Sequence, residues 1–357
     1  MPETCSSAAD LAVCAAILAE GSKSFAAASR LLPRRVRTPA TGLYAFCRLA
    51  DDAVDLSPDS AAALAELNQR LALVYAGRPM PHAADRAFAA VVAQFQIPRE
   101  IPQALFEGFA WDAAGRTYET LADIEAYGVR VAGTVGMMMA LIMGARSPAS
   151  LARACDLGIA MQLTNIARDV GEDAGAGRLY LPRQWLREAG IEPEAFLRAP
   201  AFTPALASVV ERLLDAAAVF YQRGKSGIAA LPGDCRPAIH AARLIYSGIG
   251  HQIAAAEFDS VSRRARVSGR RKIALLAQAM AAAVLPGKAG AGAASADAAP
   301  LIAAVVVGQR TGETRSKPQA ADNLDLRLGR TIVLLAQMDA RPRRMVPRRM
   351  GRMATAQ

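Results

Sequence analysis

Aromatic residues make up only 5% of this 357-residue chain, too few for a protein built on strands, which favour aromatic and β-branched side chains. Histidine is scarcer still. His82, His240 and His251 are the full set, and no HExxH or similar spacing joins them, so they read as structural or surface residues. The five cysteines (Cys5, Cys14, Cys47, Cys155, Cys235) are odd in number, scattered and without a CxxC pair. A disulfide framework or a zinc site is therefore not expected, and a reducing cytoplasm fits. GxGxxG and Walker sequences are absent, which argues against an ordinary nucleotide site. No apolar run is long enough to span a bilayer. The longest uncharged stretch, 131–145, falls short of the about 20 residues required and carries three glycines, so it reads as a buried helix. The apolar run 11–19 follows Glu3 and Asp10 instead of a basic flank, which makes it a first helix and not a signal peptide.

What the chain has in quantity is alanine and leucine, within a hydrophobic content of 53%. That mixture suits packed helices. From about residue 8 to 283, helical patterns follow one another between proline and glycine breaks such as Pro33, Pro98, Pro148 and Pro232. The expectation is an all-α chain with a single helical domain over 1–285. Composition then turns small and repetitive, and the chain closes on arginine clusters between 341 and 352. Residues 286–357 are thus expected to be a poorly ordered linker and basic tail. The net charge of +10 favours anionic partners, but the tail supplies much of it. Two readings of that tail stay open, a solvated end or a contact with anionic lipid.

Two acidic segments carry the chemistry. In the first, Tyr44, Arg48, Asp51 and Asp55 follow i, i+4, i+7, i+11 and share one helical stripe. In the second, Gln162, Asn165, Asp169 and Asp173 do the same, with Arg168 beside the first aspartate. Aspartates four apart on a helix repel, and the apolar neighbours of both stripes leave little helix for solvent. The bland alternative is a solvated face with an internal Arg48–Asp52 pair. The functional alternative is two helices facing across a magnesium-bound, oxygen-rich substrate such as a diphosphate. Gly171, Gly175 and Gly177 loosen the chain beyond the second cluster, and the following loop brings Arg178 and Tyr180 within reach of a bound phosphate. Ser22 and Ser24 flank Lys23, a group suited either to phosphate or to capping a helix.

These segments, together with 43–55, 131–136 and 165–182, resemble the squalene/phytoene synthase family of head-to-head prenyl transferases, in its bacterial, phytoene-forming type. The resemblance covers roughly the first 280 residues; the last seventy or so match no family pattern. It implies the isoprenoid synthase fold, a single helical domain around a central cavity. It implies that Asp51, Asp55, Asp169 and Asp173, with Asn165, hold magnesium (manganese being the alternative), and that Tyr44, Arg48 and the four aspartates are catalytic. Ser22, Ser24, Arg48, Arg168, Arg178 and Tyr180 would contact diphosphate, and Tyr127, Gln162 and Asn165 would lie near the reacting carbons. The run 131–143 would line the tunnels for the prenyl tails. The implied reaction joins two geranylgeranyl diphosphates through prephytoene diphosphate to phytoene, in carotenoid biosynthesis. No NADPH is expected. The implied partners are geranylgeranyl diphosphate, the membrane surface and, as an open alternative, other carotenoid-pathway enzymes; nucleic acid is not among them. The implied location is cytoplasmic, peripheral to the inner membrane. Two competing readings are a squalene or dehydrosqualene synthase acting on farnesyl diphosphate and a non-catalytic, membrane-associated helical protein.

Overall fold

A computed structural model describes residues 7–21, 26, 28–284 and 292–311. Helices α1 (Ala8–Gly21), α2 (Arg34–Asp55), α3 (Ser60–Tyr75), α4 (Ala83–Phe95) and α5 (Glu100–Ala113) form the first half. Then come α6 (Leu121–Gly128), α7 (Thr134–Ile142), α8 (Pro148–Gly175), α9 (Arg183–Glu188), α10 (Pro193–Arg198), α11 (Pro204–Gly227), α12 (Arg236–Ala254), α13 (Gly269–Val284) and α14 (Ala299–Thr311). Among the described residues there is no strand, so the all-α expectation holds.

The helix starts follow from their caps. Asp59 accepts from the Ala62 amide ahead of α3, Thr120 and Asp123 form a reciprocal capping box at α6, and Ser147 caps α8 just before Pro148. Each satisfies amides that the first turn leaves without an internal partner. Helix α2 buries Leu43, Phe46, Ala50 and Val54, with the Phe46 and Phe88 rings stacked at 4.1 Å. The long α8 is the hub, packing against α7, α11 and α12.

Close approach of α8 to the 129–143 segment depends on missing side chains. A Cβ on Gly158 would stand 2.4 Å from the Ala132 carbonyl oxygen, and one on Gly136 would stand 2.4 Å from that of Ala154. The uncharged stretch is buried as expected, though not as one regular helix. Residues Val129–Gly133 form a π-helical turn before α7, a local widening often found beside functional sites.

The stretch expected to be linker and tail carries a helix. Helix α14 lies on α8 and α5, with Leu301, Ile302 and Val305 buried. Those three positions form an i, i+1, i+4 apolar stripe that outweighs the small-residue composition around it. Residues 312–357, including the arginine clusters, lie outside the described residues.

Candidate active site

A cavity of about 320 Å³ runs beside α8. Tyr44 of α2, Gln162 and Asn165 of α8 and Tyr246 of α12 line one end, and Val131, Val135 and Met139 line its length. The expected tail-lining run therefore does face a cavity. Tyr44 and Tyr246 have hydroxyl pKa values raised by burial, as suits phenols in an apolar wall. The Asn165 amide donates to Gln162 Oε1 at 3.3 Å.

The acidic side chains gather at this end. On α2, Arg48 reaches Asp51 at 3.3 Å and Asp52 at 2.6 Å, so the internal pair does form, on side chains about two-fifths exposed. Asp55 is paired at 2.9 Å with Arg178, whose own amide donates to the Asp173 carbonyl at 2.8 Å. Arg178 thus ties the end of α8 to the end of α2. On α8, Asp169 is gripped twice. Arg168 Nε donates to Oδ1 at 2.7 Å and its Nη2 to Oδ2, while Arg264 approaches the same carboxylate at 2.8 Å and 3.1 Å. Asp173 is paired with no cation among the described residues.

Burial first, and Asp55 second, push the Asp51 carboxyl up to about 6. Burial and then Asp169 push Asp173 up to about 7. At both positions the charged form is disfavoured, first by desolvation and then by the neighbouring carboxylate. Among the described residues no three metal-ligating side chains converge on one point. Magnesium nevertheless suits this donor set. It prefers oxygen ligands, keeps several waters and binds through one or two carboxylates plus substrate phosphates, and a cation at either aspartate would remove the repulsion just described.

Three groups that the sequence did not disclose belong here. Asp112 of α5 accepts from Tyr127 at 2.8 Å and from Tyr180 at 2.7 Å. Burial raises its pKa while the two phenols oppose the rise, and Asp55 contributes to it. Asp112 is thus a third carboxylate beside the first acidic pair. Tyr127 and Tyr180 stack at 5.2 Å and both lean on Tyr118. Tyr127, expected near the reacting carbons, and Tyr180, expected on diphosphate, both stand on Asp112. The second group is Arg264, brought in by Gly171. That residue's amide donates to the Ser260 carbonyl at 3.0 Å, and a Cβ there would stand 2.5 Å from the Val261 oxygen. Gly171 is therefore a docking point for the 259–264 loop; it lies inside α8, which runs on to Gly175. The third is Tyr246, whose one sequence signal was its place on an amphipathic helix. Ser22 and Ser24 lie outside the described residues; Gly21, just before them, sits against the Tyr44 hydroxyl.

The squalene/phytoene synthase profile matches residues 18–271. A phytoene synthase of Rhodobacter capsulatus is 54% identical over 285 residues, covering 78% of this chain and 84% of that protein. One of Cereibacter sphaeroides is 47% identical over 357 residues, covering 97% of this chain and 98% of its own, so similarity there continues well past residue 285. Among solved structures, a dehydrosqualene synthase in complex with a ligand superposes with a TM-score of 0.72 at 31% identity, covering 76% of this chain and 96% of that one. A squalene synthase from Alicyclobacillus acidocaldarius gives 0.65 at 26%, over 70% and 95%. The helical architecture is accordingly the isoprenoid synthase fold, and the chain belongs to the squalene/phytoene synthase family.

Proposed function

We propose that this enzyme condenses two geranylgeranyl diphosphates head to head, through prephytoene diphosphate, to phytoene, releasing diphosphate. The observation that carries the proposal is the cluster of half-buried carboxylates from α2 and α8, set beside an apolar cavity that Tyr44, Gln162 and Asn165 of the same two helices line. Such a site accepts a molecule with a charged head and a hydrocarbon tail. Relatives at 47% and 54% identity that bear the name phytoene synthase support this product over squalene.

Asp51 and Asp55 on one wall, and Asp169, Asp173 and Asn165 on the other, would hold magnesium. When bound, the metal would neutralise charge developing on the departing diphosphate. Arg48, Arg168, Arg178 and Arg264 present forked donors that suit phosphate oxygens. Each now rests on a carboxylate, so substrate would exchange an arginine–aspartate contact for an arginine–phosphate one. The apolar walls keep water from the allylic cation formed when the first C–O bond breaks. They also hold the second chain's double bond close enough to attack it. Proton loss closes the cyclopropane, and a second ionisation and rearrangement with further proton loss give phytoene. The Tyr44 hydroxyl, on the cavity wall, is placed to steady charge or take a proton. No step in this sequence calls for NADPH.

Among the described residues no helix is long and apolar enough to cross a membrane. We place the enzyme at the cytoplasmic face of the inner membrane as a peripheral protein, because its product is a hydrocarbon that partitions into lipid. Purified protein given magnesium and geranylgeranyl or farnesyl diphosphate tests the proposal. Phytoene from the first is the expected result. Conversion of farnesyl diphosphate alone, to squalene or dehydrosqualene, would overturn it.

A further inference from the structure

A buried charge belongs to the cavity wall twelve residues along α8 from Asn165. Arg153, on the first third of α8, lines the cavity together with Ser150 and Met143. Its side chain is only 7% exposed and pairs at 2.8 Å with the equally buried Asp156. A buried ion pair in the wall of a hydrocarbon cavity is unusual, since it costs desolvation and persists only when held in place. Three contacts hold this one. Gly227 of α11 lies so close that a Cβ there would stand 2.3 Å from Arg153 Cβ. Arg153 Nη2 donates to the Ala293 carbonyl at 3.0 Å. Gly292 covers the guanidinium, its would-be Cβ 2.7 Å from Nη1. The strap carrying Gly292 and Ala293 is itself anchored by Asp297 on Arg130 at 3.0 Å and by the buried side of α14.

We infer that Arg153, clamped between Asp156 and the 292–298 strap, is the floor on which the end of the prenyl tail stops, and that it fixes tail length at four isoprene units. This rests on the function proposed above. Length supports it. From Asn165 at the reacting end to Arg153 is twelve residues of α8, or about 18 Å at the helical rise. An extended carbon chain advances about 1.2 Å per bond, the rate of an extended backbone. The geranylgeranyl main chain then reaches roughly 18 Å and the farnesyl one roughly 13 Å. A fifth unit would drive the tail into the guanidinium, which cannot retreat without breaking the Asp156 and Ala293 contacts. A three-unit tail would leave the floor untouched.

The test compares farnesyl, geranylgeranyl and geranylfarnesyl diphosphates with magnesium on the full chain. Arg153→Ala/Asp156→Ala removes both charges, so neither is left buried alone. It should raise kcat/KM for geranylfarnesyl over geranylgeranyl diphosphate about tenfold or more, the scale on which a hydrocarbon pocket discriminates, and leave farnesyl diphosphate within about twofold. Ala154→Leu, which fills the same end, should shift preference from geranylgeranyl towards farnesyl diphosphate by a similar factor. If the double variant does not fold, the Ala154→Leu result decides. The shift in Tm given by farnesol, geranylgeraniol and geranylfarnesol reads the floor without any chemistry. Wild type that converts no geranylgeranyl diphosphate would sink the functional proposal alone, because the alcohols still report tail length. Unchanged preference in folded variants, or wild type that takes the five-unit substrate as readily as the four-unit one, overturns the inference.

Discussion

The two acidic helices look like twins in sequence, each with aspartates four apart and an arginine alongside, yet their electrostatic states differ. On α2 the charges are shared out. Arg48 serves Asp51 and Asp52, and Arg178 crosses over to Asp55. On α8 the compensation is concentrated. Arg168 and Arg264 both sit on Asp169, and Asp173 is left with its pKa near 7. A cation arriving at the α8 wall would find Asp173 available and Asp169 already occupied by two guanidinium groups. On the α2 wall, Asp51 is the more available carboxylate and Asp55 the one to be released. Identical spacing therefore does not make the walls equivalent, because each arginine's partner is chosen by tertiary placement.

The largest expected effects test whether the less compensated aspartate on each wall is the working one. Asp51→Asn and Asp173→Asn should each lower kcat by about three orders of magnitude or more, in keeping with the loss of a charge that stabilises a developing anion. The same substitutions should stabilise the metal-free protein. In both residues the folded pKa (about 6 and about 7) lies above the unfolded 3.8, so the folded state holds the extra proton at low pH and loses that advantage as pH rises through 6 to 7. The variants should therefore melt higher than wild type at pH 8, by roughly 2–4 °C for each kcal/mol of charge burial and repulsion relieved, and no higher at pH 4. Near-normal turnover would remove these aspartates from the chemistry. An equal gain at both pH values would show that ionisation of the two aspartates is not the cause.

How much of this was legible in the sequence depends on the range of each relationship. The Asp51–Asp55 and Asp169–Asp173 stripes are local, set by helical pitch, and a reader of the sequence can place them. Arg264 is 95 residues from the aspartate it grips, and it sits among Arg263 and Arg266, which offer the same signal to the eye. Asp112 stands alone on α5 with no acidic repeat, and only the folded chain brings Tyr127 and Tyr180 to it. Helix α14 escapes notice for a different reason: small-residue composition hides the Leu301, Ile302 and Val305 stripe that docks it.

Changing the arginines should sharpen the contrast at a smaller scale. Arg168→Lys keeps its charge but loses the fork that engages both oxygens of Asp169, and a loss of about tenfold in kcat/KM is expected, read from initial rates at saturating magnesium. Arg264→Ala removes one of the two cations on Asp169 and the partner of Glu172 at 3.2 Å. With the α8 wall more negative, the magnesium concentration that half-maximally raises Tm should fall about threefold, which corresponds to somewhat under 1 kcal/mol. Arg48→Ala, on the wall where compensation is shared, should shift that midpoint less. An equal shift from both arginines would mean that the walls are equivalent after all.

The smallest effect supplies a control of opposite sign. His240 on α12 is buried, its Nδ1 has no hydrogen-bond partner, and burial together with Arg243, Lys225 and Arg236 lowers its pKa to about 4. The unfolded chain takes up a proton near pH 6.5 that the folded chain refuses until about 4, so His240 subtracts stability as pH falls through that window. Asp51 and Asp173 act in reverse over much of the same range, and the measured profile of wild type is the sum of the two. His240→Gln should leave stability at pH 8 within about 1 kcal/mol of wild type and flatten its loss between pH 6.5 and 4. Urea midpoints taken at intervals across pH 4–8 would show this. In the His240→Gln background the pH dependence that remains should then carry the sign of the carboxylates, rising in stability towards acid. If the variant and wild-type profiles superimpose, His240 is not refusing its proton and contributes nothing to the loss of stability towards acid.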